Sequence, residues 1–93
     1  MRKKKQHRKD ILLIHIGEAL RKRRIALLMS QAELASLAHF HRTYITDVES
    51  GYRNVSLLTF EKLTLALQCP LSFPFIESER TMAEEMRNTR QFA

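Results

Sequence analysis

The sequence is poor in everything that punctuates or cross-links a chain. A single cysteine, Cys69, excludes an internal disulfide and lacks the companion ligands that a zinc site needs. His39 and His41 have no such company either and read as turn residues, so no metal is expected. Two glycines, two prolines and no Asn-Gly or Asp-Gly pair leave little to close hairpins, and β-branched alternation is absent. The expected fold class is therefore all-α. No apolar run exceeds five residues, Ile25 to Met29, far short of the roughly 20 that span a bilayer. The basic start followed by Ile11 to Ile16 mimics a signal peptide. His15 and Glu18 interrupt it, however, and no small-residue cleavage site follows, so the expected location is cytoplasmic. Ser/His/Asp and Cys/His sets and a Gly-rich phosphate loop are missing, and neither enzyme activity nor a cofactor is expected.

What is present is 93 residues, one domain's worth of chain, with a lopsided charge. Sixteen Lys and Arg against ten Asp and Glu give +6. Six of the bases (Arg2, Lys3, Lys4, Lys5, Arg8 and Lys9) fall in the first nine residues with no acid among them, and the rest of the chain is balanced. A basic arm ahead of a neutral domain suits a polyanion, nucleic acid first and an anionic membrane second; the plainer alternative is a solubilising tail. The division expected is an arm over 1–9, a main domain over 10–70 and a C-terminal helix over 71–93.

Apolar spacing and capping residues delimit five helices. Asp10 is a candidate N-cap for a first helix from about Ile11 to Leu28, with Ile16, Leu20 and Leu27 facing a core and Arg21 to Arg24 turned partly outward. Ser30-Gln-Ala-Glu33 is a capping box that starts a short second helix, Gln31 to Ala38. His39-Phe40-His41 interrupts the pattern before a third helix from about Arg42 to Ser50, stopped by Gly51. Ser56 caps a fourth, in which Leu57, Phe60, Leu63, Thr64 and Leu67 recur at core spacing before Pro70. Phe73, Phe75, Ile76, Met82 and Met86 belong to a fifth.

Two short helices joined by about three residues, with flanking helices to supply a core, form a helix-turn-helix arrangement. The string from Ser30 to Ser56, SQAELASLAHFHRTYITDVESGYRNVS, resembles the Cro and phage-repressor (Xre) family of DNA-binding domains. In that family Ser-Gln opens helix two, Leu-Ala packs within it, and a Tyr-Ile-Ser/Thr core precedes Glu-x-Gly. The resemblance covers about residues 16 to 68. It implies a compact five-helix, lambda-repressor-like domain. Family members usually carry Gly at the place of Leu28, Gly or Asn at His39 and Pro at Val55, so local backbone strain is expected at Leu28 and His39.

The resemblance puts helix three in the DNA major groove, with Ile45 and Val48 facing the core and Arg42, Thr43, Thr46 and Asp47 reading bases. Arg42 can fork onto guanine, Asp47 can only accept, which suits a cytosine amine, and the threonines offer a hydroxyl and a methyl. The plain alternative is a solvated helix face. Gln31 matches a phosphate clamp at a helix N-terminus, and Arg53, Asn54 and Ser56 are candidates for a neighbouring phosphate. His41 either caps helix three or reaches a phosphate; Tyr44 either hydrogen-bonds a phosphate or packs. Arg24 and Glu49 match a structural ion pair bridging helix one to the recognition helix. By charge, Lys3, Lys4, Lys5, Arg8 and Lys9 join the phosphate contacts.

One such motif reads few base pairs, so a homodimer on double-stranded DNA is expected, with Leu58, Leu65, Phe73, Phe75 and Ile76 as the candidate interface. The alternative is that the fifth segment folds back to seal the core. A bound dimer would exclude RNA polymerase from a promoter or touch it. No membrane partner is expected. Arg42-Thr43-Tyr44-Ile45 and Arg53-Asn54 look most like the controller proteins of restriction–modification systems. The rival reading is an antitoxin that covers a toxin and binds its own promoter.

Overall fold

The computed structural model describes residues 10–91, with side chains described through Thr89. The arm and its six basic residues lie outside the described residues. Five helices follow in order: α1 (Ile11–Ala26), α2 (Gln31–Ala38), α3 (Arg42–Glu49), α4 (Leu57–Ala66) and α5 (Phe73–Gln91). There is no strand among the described residues.

The helix starts use two kinds of cap. Ser30 Oγ accepts the Glu33 N–H at 3.0 Å while the Glu33 carboxylate accepts the Ser30 N–H at 2.7 Å, so the capping box closes in both directions. Ser56 Oγ accepts the Thr59 N–H at 3.1 Å. Asp10 and His41 occupy N-cap positions with extended backbone but make no side-chain cap bond.

The scarcity of glycine reappears at the helix ends. α1, α2 and α4 each stop at a left-handed residue that is not glycine: Leu28 (φ 57°), His39 (φ 63°) and Gln68 (φ 55°). In each case the next N–H reaches back across that residue, Met29 to the Arg24 carbonyl, Phe40 to Ala35 and Cys69 to Thr64, at 2.8–3.1 Å. α3 ends the same way on Gly51 (φ 85°), where Tyr52 N–H bonds the Asp47 carbonyl. An L-residue in this conformation costs about 1–2 kcal/mol, so three of the four turns carry strain that a glycine would remove. Leu28 and His39 match the expected sites. Because Leu28 has already turned left-handed, α1 ends at Ala26 rather than at Leu28.

The core draws Ile16 and Leu20 from α1, Leu34, Ala35 and Ala38 from α2, Ile45 and Val48 from α3, and Phe60, Leu63 and Leu67 from α4 and its end. Two placements differ from the expected pattern. Leu57 is exposed, because as the first residue of α4 it projects past the edge of the core. Arg24 is buried rather than turned outward, for the reason given below. Gly17 sets the spacing between α1 and α3: a Cβ there would stand 2.4 Å from the Val48 carbonyl oxygen and 2.7 Å from that of Glu49. A side chain would push α3 away from α1.

α5 folds back against α1. Pro74 sits in its first turn, where a missing N–H costs nothing, and Ser78 Oγ donates to the Pro74 carbonyl at 2.6 Å. The Phe75 ring lies 4.9 Å from that of Phe60, and His15 Nε2 is 3.0 Å from Glu85 Oε1. Phe75 therefore belongs to the monomer's own packing rather than to a free interface, and Phe73 is half-buried. Leu58, Leu65 and Ile76, the other three residues of the expected interface, are exposed.

Candidate nucleic-acid interface

Helix α3 is amphipathic over two turns. Ile45 and Val48 are buried, and Arg42, Thr43 and Thr46 are exposed on the other side. The helix begins after His39-Phe40-His41, where the left-handed His39 reverses the chain and half-buried Phe40 packs on the core. Phe40 also meets Tyr44 ring to ring at 4.9 Å, and Lys62 Nζ stands 5.6 Å from the Phe40 ring centre. The Tyr44 ring packs here, partly buried against the core.

A polar network ties this helix to its two predecessors. Arg24 Nε donates to Glu49 Oε2 at 2.7 Å and Nη2 to Oε1 at 2.9 Å, a bidentate pair between buried groups. Its remaining terminal nitrogen, Nη1, donates to the Met29 carbonyl at 2.8 Å. The bonds to Glu49 hold the Arg24 pKa above its ordinary value against the opposing effect of burial. Glu49 Oε1 also accepts from Gln31 Nε2 at 3.0 Å, and Gln31 Oε1 accepts from Thr46 Oγ1 at 2.9 Å. A carboxylate is acceptor-only, so the Gln31 carboxamide can point only one way in this chain of bonds. No buried side-chain nitrogen or oxygen among the described residues is left without a partner.

The expected ion pair between Arg24 and Glu49 is therefore present, and the network extends it in a way the sequence did not indicate. The Gln31–Thr46 bond joins an expected phosphate clamp to an expected base reader. Neither residue type signals a partner 15 positions away, so only the fold brings them together. Arg23 is a second residue without a sequence signal: it caps the end of α4, donating to the Leu67 carbonyl at 2.9 Å and the Gln68 carbonyl at 2.8 Å.

The remaining candidates fall around α3. His41 is exposed at its N-terminus with no cap bond. Arg53 and Asn54 are exposed in the segment between α3 and α4. Ser56 Oγ accepts the cap bond and also meets Thr59 Oγ1 at 3.0 Å, so it serves the start of α4. Asp47, expected to accept from a base, already has a cation beside it: Arg53 Nε is 3.5 Å from Asp47 Oδ2, and the Arg53 guanidinium lies 5.1 Å from the Tyr44 ring centre.

A polar, partly cationic helix face backed by a buried face, reached through a tight turn from a capped helix of equal length, defines a helix-turn-helix domain. A family model described as helix-turn-helix matches residues 20–73, more than half of the chain. The chain belongs to this family, of the Xre type, whose members are DNA-binding transcription regulators. Over 39 residues it is 56% identical to the control protein C.BamHI of Bacillus amyloliquefaciens, a match covering 42% of this chain and about half, 48%, of that relative's length. Over 68 residues it is 37% identical to the control protein C.MunI of Mycoplasma sp, covering 72% of this chain and 92% of that protein. The solved structure of the restriction-modification controller protein C.AhdI from Aeromonas hydrophila has a TM-score of 0.65 at 40% identity, covering 67% of this chain and 94% of that one. No described helix is long and apolar enough to cross a membrane.

Proposed function

We propose that this protein is a sequence-specific regulator of the controller type that binds a two-fold operator as a homodimer, with α3 in the major groove. The observation that carries the reading is the locked presentation of α3. Its outward Arg42, Thr43 and Thr46 stand on a helix whose other face is buried and whose terminal Glu49 is held by both α1 and α2. A buried ion pair adds little net stability, so its use here is orientation. Arg42 supplies a two-pronged donor for guanine, and the threonine methyl groups suit thymine.

Gln31 sits at the positive end of α2 with one amide hydrogen not used by Glu49, placed to meet a phosphate oxygen. His41, Tyr44, Arg53 and Asn54 flank it as further phosphate contacts. The basic residues of the arm are assigned to the phosphate backbone by charge alone. Leu58, Leu65 and Ile76 form the dimer contact, and occupancy of the operator blocks RNA polymerase or engages it. The relatives named as control proteins favour genes of a restriction–modification system as the target.

The test is a footprint of the purified protein on its own upstream DNA, followed by two substitutions. Arg42→Ala should weaken operator binding by roughly 1–3 kcal/mol and leave random DNA nearly untouched, because one base contact is lost. Gln31→Ala should weaken both. Equal losses from both variants on both DNAs would refute the division into readers and clamps. A protein that shows no footprint but captures a small toxin encoded beside it would support the antitoxin reading instead.

A further inference from the structure

We infer that Asp47 does not read a base but is a positioning residue, holding Arg53 against Tyr44 so that the guanidinium fork faces the DNA backbone. This rests on the DNA-binding reading above. Tyr44 and Asp47 are one helical turn apart and share a face of α3. After α3 the left-handed Gly51 and the bond from Tyr52 N–H to the Asp47 carbonyl fold the chain back over that same turn. Arg53 is thereby laid along it, with Nε 3.5 Å from the carboxylate and the guanidinium carbon 5.1 Å from the ring centre. Nε is the guanidinium nitrogen nearest the Asp47 carboxylate. The two outer nitrogens have no hydrogen-bonding acceptor among the described residues and remain available to phosphate oxygens.

Exposure and charge favour this role over base reading. Both side chains are substantially exposed, at 44% and 34%, and an ion pair in that setting contributes little stability, so its worth lies in where it puts the arginine. Reading a cytosine amine would require Asp47 to leave Arg53 and to stand uncompensated near phosphates. Positioning requires no rearrangement and neutralises the acid where the duplex approaches.

The two roles differ in sign when Arg53 is absent. Binding to operator and to random DNA is measured for the full chain, Asp47→Ala, Arg53→Ala and the double variant. Arg53→Ala should weaken both DNAs about tenfold. Asp47→Ala alone should weaken binding about threefold, although it removes a negative charge. In the Arg53→Ala background the same substitution should tighten binding slightly, because only repulsion is relieved. Base preference, read by selection from randomised operators, should not move. Thermal midpoints of all four proteins should agree, which separates the effect from misfolding.

In the DNA-free protein the Arg53 Nε–Hε resonance should shift on Asp47→Ala. An unmoved resonance overturns the inference whether or not DNA binds. A loss of affinity that is the same in both backgrounds, or a changed preference at one base pair, overturns it while leaving the DNA-binding reading intact. A shifted resonance in a protein that binds neither DNA overturns the DNA-binding reading itself, and the role given to the pair falls with it.

Discussion

The α1–α3 region buries charge, and the α4–α5 region leaves leucine in water. Arg24 and Glu49 are 8% and 7% exposed, whereas Leu58 and Leu65 are each 72% exposed. Both run against the usual partition of side chains, in opposite directions. The buried pair satisfies its donors and acceptors through Met29 and Gln31, and its gain over an apolar pair is geometric: it admits one orientation of α3 against α1. The exposed leucines gain nothing within the monomer. α5 has exposed charges as well, with Arg80 reaching Glu77 and Glu84, but these are surface pairs of little energetic consequence. The difference teaches that neither anomaly serves the monomer's stability. Under the proposed function the first sets the aim of α3, and the second is covered by the proposed second copy.

The most damaging way to break this contrast is to remove one half of the buried pair. Arg24→Ala should cost about 3–5 kcal/mol in urea unfolding, because Glu49 is left buried without its cation. The sharper variant replaces both partners, Arg24→Met with Glu49→Leu. Stability should return to within about 1 kcal/mol of the parent while operator affinity stays reduced, since packing survives and orientation does not. Recovery of both properties would show that the pair is not an orienting device.

On the other side of the contrast, Leu58→Lys with Leu65→Lys should leave the protomer's own stability within about 0.5 kcal/mol, because neither side chain is in its core. Sedimentation should then report a species of 10.9 kDa where the parent runs at about twice that mass. Operator affinity should fall by about 1–3 kcal/mol as a central contact between subunits is lost. A parent protein that is strictly monomeric, free and on DNA, would reject the interface and the two-fold operator together.

The smallest expected effect is a gain. Leu28 is almost fully exposed and left-handed, so Leu28→Gly relieves backbone strain without opening a cavity. After the added entropy of glycine in the unfolded chain, about 0.5–1 kcal/mol should remain, seen as a rise of a few degrees in melting temperature. Unchanged DNA binding in this variant would place the strained turn outside the recognition machinery, in contrast to the network one turn away.

Local chemistry made much of this protein legible from its residues in order. The capping box at Ser30, the stop at Gly51, the bounds of α2 and the apolar stripe of α3 depend on neighbours within a few positions, and there the pattern and the observed elements agree. The strain at Leu28 and His39 was legible through the family resemblance rather than through local pattern, and neither marked Gln68. The Arg24–Glu49 bridge was legible only through resemblance, since 25 positions separate its partners.

What tertiary structure alone decided is where distant segments meet. It closed the network through Gln31 and Thr46, sent Arg23 to the end of α4, and required a residue without a side chain at Gly17, because the carbonyls of α3 pass beside it. It also divided the apolar residues of the C-terminal half, taking Phe75 into the core and leaving Leu58, Leu65 and Ile76 outside. Helical periodicity says which residues share a face, but it does not say which faces find a partner. That depends on the direction in which α5 returns along α1, a long-range choice made by packing.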